Sequence, residues 1–84
     1  MIREFGQRLR EARAQRGLSQ EALGEIAGYQ DRYISNLERA ERQPTLTTLV
    51  RLATALDVSV DDLLSGFVDA AVERRRHDFD SRSR

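Results

Sequence analysis

Four side chains near the middle of the chain have the types and the spacing to read a patterned polar surface. Arg32, Ser35, Asn36 and Arg39 recur at intervals of three and four, so on a helix turning about 100° per residue they share one strip. Ile34 and Leu37 fall on the opposite side, where a core would lie. The strip offers two guanidinium forks, a carboxamide and a hydroxyl. Arg can pair bidentately with guanine O6 and N7, and Asn with adenine N6 and N7. Asp31 flanks the strip near the helix start, where it can accept from cytosine N4 or favour the helix dipole. On the helical wheel alone, an ordinary polar surface helix explains the strip equally well.

Other chemistry is poorly provided for. His77 is the single histidine and lies in a polar tail. Cysteine is absent, which removes disulfides, thiolate metal ligands and a thiol nucleophile. Asp57, Asp61 and Asp62 could be imagined around a metal, but Asp61 and Asp62 fall in a first helical turn, where acidic groups complement the dipole. There is no glycine-rich phosphate loop and no Ser/His/Asp set. The expectation is no metal, no cofactor and no enzymatic activity.

Net charge is zero, which at first argues against a polyanionic partner. Its distribution says more. All 14 basic residues are Arg. Residues 1–18 hold five Arg against two Glu, a surplus of three positive charges, whereas residues 45–66 hold one Arg against three Asp. A neutral chain can therefore still present a basic face. Arg74, Arg75 and Arg76 are diluted by acidic neighbours and read as a solvated end. The charged N-terminus lacks the apolar run of a signal peptide, and no segment reaches the roughly 18 apolar residues of a membrane span. A cytoplasmic protein without membrane contact is expected.

The strip needs a scaffold, and the remaining residues supply a helical one. Ile2, Phe5, Leu9 and Ala12 form one apolar stripe, predicting a first helix from about Ile2 to Arg16 that Gly17 ends. Ser19 is placed to cap a second helix with Leu23, Ile26 and Ala27 inside, and Gly28 ends it. Gly24 lies within that helix, where glycine costs about 1 kcal/mol relative to alanine; this suggests close approach to the next helix. A third helix spans about Gln30 to Arg39. Pro44 and Thr45 open a fourth, with Leu46, Leu49, Val50, Ala53 and Leu56 as its core face. Ser59 caps a short fifth helix, Val60 to Leu64. Phe67, Val68, Ala71 and Val72 suggest one further helical stretch, and from about His77 little remains to bury. The fold class is all-α, divided into a domain over 1–66, an extension over 67–76 and a tail over 77–84.

Read together, Ser19-Gln20, Leu23, Ala27-Gly28, Tyr33-Ile34-Ser35, Leu37-Glu38-Arg39 and Pro44-Thr45-Leu46 resemble the Cro/C1-type (XRE-family) helix-turn-helix domain. The similarity continues through Leu49, Ala53, Leu56, Val58 and Asp62-Leu63-Leu64. It implies a five-helix, lambda-repressor-like domain with its third helix in the major groove of double-stranded DNA. The family's base-contacting positions fall on Asp31, Arg32 and Asn36, with Ser35 adjacent. Backbone contacts fall on Gln20 at the start of helix two and on Arg39, Arg42 and Gln43 after helix three. The chain departs from the usual pattern at Gly24 (usually Ala), Tyr29 (Val or Ile), Gln30 (Ser or Thr) and Ala40 (Gly).

One recognition helix reads few base pairs, so a homodimer on a near-palindromic operator is expected. Val58, Val60, Leu64, Phe67, Val68 and Ala71 are its candidate interface. Phe67 and Val68 could instead fold back over helix one. The leading reading is a stand-alone transcriptional regulator, of the kind seen in short phage repressors or restriction–modification controllers. An antitoxin that also masks a toxin, and a protein-interaction adaptor on the same fold, are the alternatives.

Overall fold

The computed structural model describes residues 2–64. Four helices are α1 (Ile2–Gln15), α2 (Gln20–Ala27), α3 (Asp31–Glu38) and α4 (Leu46–Leu56), and a fifth, α5, covers 60–64. Among the described residues there is no strand, so the all-α expectation holds.

Local chemistry sets the helix boundaries. Ser19 Oγ accepts from the Ala22 N–H at 3.0 Å, Thr45 Oγ1 from Thr48 N–H at 3.1 Å, and Ser59 Oγ from Asp62 N–H at 3.0 Å. Each satisfies a donor that the first turn would otherwise leave unpaired. Asp62 reciprocates by accepting from Ser59 N–H at 3.4 Å. Gln30 caps α3 with no side-chain hydrogen bond, as its departure from Ser or Thr implies. Asp31 Oδ1 accepts from the Arg32 N–H at 2.9 Å instead.

A left-handed residue follows each of α1 to α4: Gly17 (φ 67°), Gly28 (φ 85°), Ala40 (φ 61°) and Asp57 (φ 55°). After α3 the Glu41 N–H bonds back to Asn36 O at 2.8 Å, and Ala40 N–H to Leu37 O at 3.2 Å. This paired return satisfies the last carbonyls and normally places glycine where Ala40 stands.

The core gathers Phe5, Leu9, Leu23, Ile34, Leu37, Leu52, Leu56 and Leu63, all fully buried. α3 packs against both α1 and α2, and α4 packs against α2. Gly6 permits the α1–α3 approach: a Cβ there would sit 2.6 Å from Glu38 O and 2.7 Å from Leu37 O.

Three expected core residues are not inside. Ile26 is 58% exposed, Leu46 74% and Val50 48%. The buried face of α2 is Leu23, Gly24 and Ala27. Close packing at Gly24 turns that edge inward and leaves Ile26 on the rim. In α4 the buried set is Thr48, Leu49, Leu52, Ala53 and Leu56. The helix is rolled toward Leu52 and Thr48, which carries Leu46 and Val50 outward. Val58, Val60 and Leu64 are partly buried against the core. Phe67, Val68 and Ala71, the extension over 67–76 and the tail over 77–84 lie outside the described residues.

Candidate nucleic-acid interface

α2 and α3 are joined by a turn that backbone geometry keeps tight. Both Gly28 N–H and Tyr29 N–H bond to Gly24 O, at 2.8 and 2.7 Å, while Gly28 takes the left-handed conformation that ends the helix. A Cβ on Gly24 would lie 2.5 Å from Tyr29 O. The close approach expected at this glycine is therefore real, and its partner is the turn leading into α3.

α3 is held from two sides. On one, Glu38 is buried and receives Arg13 Nε at 2.6 Å, Arg13 Nη2 at 3.0 Å and Gln20 Nε2 at 3.1 Å. Arg10 Nε stands 3.5 Å from the same carboxylate. Burial pushes the Glu38 carboxyl up; the Arg13 hydrogen bonds, the Gln20 amide, the Arg13 charge and Arg10 outweigh it and hold it below the ordinary glutamate value. Arg13 also donates to Leu18 O at 2.8 Å, so one guanidinium joins α1, the α1–α2 turn and the end of α3.

On the other side the supports are neutral. Thr48 Oγ1 receives the Tyr29 hydroxyl at 3.1 Å and lies 3.3 Å from the Tyr33 hydroxyl and 3.0 Å from Thr45 Oγ1. The tyrosine rings stand 5.0 Å apart at 46°, and the Arg51 guanidinium lies 5.7 Å from the Tyr29 ring centre. This cluster ties the turn and the first part of α3 to the start of α4.

With Ile34, Leu37 and Glu38 buried, the opposite face of α3 is left to solvent. Asp31, Arg32 and Arg39 are exposed, and Ser35 and Asn36 are half-buried. Arg39 Nη2 donates to Asn36 Oδ1 at 3.1 Å and to Glu41 Oε2 at 3.2 Å. Arg42 and Gln43 are exposed in the following loop. Arg32, Ser35 and Asn36 thus share the outward face, which leads into that loop, while Asp31 stands at its flank in the first turn of α3. Gln20 is half-buried and engaged with Glu38, a role the residue pattern did not suggest.

Sequence reasoning missed the Arg13–Glu38 pair and the hydroxyl cluster. The wheel that places Ile34 and Leu37 inside also places Glu38 beside them, and that was the available signal. The hydroxyl cluster had none, because its members become neighbours only through packing.

Two short helices joined at a left-handed glycine, with the second offering Arg and Asn outward, define a helix-turn-helix domain. The chain matches the helix-turn-helix family HTH_3 over residues 9–63 and belongs to it. It is 54% identical over 48 residues to the control protein C.SmaI of Serratia marcescens, covering 57% of each chain; the match thus spans little more than half of that relative. The crystal structure of the restriction–modification controller protein C.AhdI from Aeromonas hydrophila superposes with a TM-score of 0.72 at 44% identity, covering 74% of this chain and 94% of that one. The P22 c2 repressor, of Salmonella phage P22, was crystallised with a synthetic operator; it superposes with a TM-score of 0.69 at 39% identity, covering 74% and 94%. Relatives of this chain are thus transcriptional regulators, among them a DNA-bound repressor.

Proposed function

We propose that the protein is a sequence-specific, double-stranded-DNA-binding transcriptional regulator of the restriction–modification controller kind, acting in the cytoplasm as a homodimer on a near-palindromic operator. The observation that carries this is the outward face of α3, with Asp31, Arg32, Ser35 and Asn36 on a helix anchored on both flanks. A positioned helix is what base readout needs, since a bidentate contact tolerates little displacement. Gln20, with a second amide hydrogen beyond the one given to Glu38, and Arg39, Arg42 and Gln43 supply phosphate contacts that set register. Val58, Val60 and Leu64, with Phe67, Val68 and Ala71 beyond them, supply the dimer contact. Two copies place half-site centres about 34 Å apart.

Titration of the protein against promoter DNA from upstream of its own gene, over a salt series, tests the reading. If a dimer neutralises roughly six phosphates, log K falls against log salt with a slope of about −5. A flat response, or equal affinity for random duplex, overturns it. Sedimentation as a monomer at tens of micromolar removes the dimer from it.

A further inference from the structure

We propose that Asn36 and Arg39 read DNA as a single unit, clamped by Glu41, and that this unit selects guanine where a free asparagine would select adenine. The proposal rests on α3 entering the major groove, the reading given above. It also moves Arg39 from a purely phosphate-contacting role into base readout.

Arg39 Nη2 bridges Asn36 Oδ1 and Glu41 Oε2, at 3.1 and 3.2 Å. A guanidinium carries donors only, so the atom of Asn36 that faces it must be the carboxamide oxygen. The orientation of the amide is therefore dictated by chemistry. Adenine readout by asparagine needs both amide atoms, with oxygen accepting from N6–H and nitrogen donating to N7. Here the oxygen is engaged along the helix surface, and the Nδ2 hydrogens are what Asn36 can offer outward.

The remaining N–H groups of Arg39 add further donors. The pair thus presents an edge made of donors alone. Guanine is the base with two acceptors, N7 and O6, on its major-groove edge; adenine places donor hydrogens beside its N7. Glu41 completes the unit. Its carboxylate accepts from the same Arg39 Nη2 that donates to Asn36, and both side chains are about half-exposed, 55% and 56%. A surface pair of this kind adds little to stability, so its consequence is orientation. It also sets a negative charge beside the DNA backbone, which weakens binding to every sequence.

A base-substitution scan of the operator tests the proposal, together with NMR of the Asn36 side-chain amide in the free protein. The wild type should prefer guanine at one position per half-site. Arg39→Ala should move the preference there to adenine, by roughly tenfold, and should shift the Asn36 amide resonances without DNA. Glu41→Gln keeps an acceptor for Arg39 and removes the charge, so affinity should rise for all sequences with base preference unchanged. A uniform loss of affinity on Arg39→Ala, with base preference retained, overturns the coupled unit while leaving the proposed regulator intact. Unchanged Asn36 resonances in that variant also overturn it. Absence of any specific duplex binding by the wild type sinks the regulator reading and the readout together.

Discussion

Arg13 and Glu38, 25 residues apart in sequence, meet through two hydrogen bonds of 2.6 and 3.0 Å with the carboxylate fully buried. Removing one partner leaves the other charge in a poorly solvated site, at a cost of about 3–5 kcal/mol. A chain of this size has about 4–13 kcal/mol in all, so Glu38→Ala should be close to unfolding at 37 °C. Replacing both, as Arg13→Met with Glu38→Leu, should recover most of the loss because no charge is left buried. Urea unfolding of the two singles and the double decides it; equal instability of all three would mean the pair itself stabilises the fold.

Acid should undo the same contact. The folded state holds the Glu38 carboxyl below its ordinary value, so as pH falls the unfolded chain takes up this proton first. The stabilisation is complete above the unfolded value near 4.3 and is lost as pH drops through the lower folded value. Melting temperatures measured from neutral pH into the acid range should fall more steeply for the wild type than for Glu38→Gln. Parallel curves would show that Glu38 is not the group responsible.

Ala40 takes φ 61° at the end of α3, a region in which a Cβ crowds the following carbonyl at a cost of about 1–2 kcal/mol. Ala40→Gly should stabilise the protein by roughly 0.5–1 kcal/mol after the extra chain entropy of glycine is counted. Gly17→Ala is the reverse experiment. Its φ is 67° and nothing lies within 4 Å of a Cβ built there, so any loss reports backbone strain free of clash. Thermal melts of both variants check the pair; destabilisation by Ala40→Gly would contradict the left-handed cap.

Base and phosphate contacts should separate in binding data. Arg32→Ala should relax preference at one base pair and cost about 1–3 kcal/mol per half-site. Arg42→Ala should weaken all duplexes about equally and make the salt slope shallower by about one per site. Parallel scans on specific and random DNA distinguish them. A base preference unchanged by Arg32→Ala would place its side chain off the groove floor.

What could be read beforehand was what is local. Ser19, Thr45 and Ser59 act as caps because each hydroxyl needs only its own next turn. The strip of Arg32, Ser35, Asn36 and Arg39 was legible because helical spacing alone groups it. The roll of each helix was not, since it depends on what the helix meets. Ile26, Leu46 and Val50 fit an inner face as well as Leu52 does until Gly24 and Thr48 fix the approach. Glu38 was hidden for a related reason: a carboxylate reads as surface until its guanidinium arrives from another helix. Val58, Val60 and Leu64, proposed above as dimer contacts, are only partly covered by their own chain, a degree of burial that neither spacing nor hydropathy could specify.

The hydroxyl cluster around Thr48 constrains how this sequence can drift. A hydroxyl has one hydrogen to give and room to accept two, and Thr48 has three hydroxyl neighbours. The tyrosines are half-buried and can turn to water, whereas Thr48 is buried. Losing both tyrosines first would leave the buried Thr48 hydroxyl with Thr45 Oγ1 in place of three hydroxyl neighbours, and a buried polar group that gives up hydrogen bonds it cannot replace with water is penalised. Losing Thr48 first, to an apolar residue of its size, leaves the tyrosines able to hydrate. Divergence at these three positions therefore has a direction. Descendant lineages should abandon the buried threonine before the aromatic hydroxyls, and those that kept the threonine should have kept a tyrosine with it.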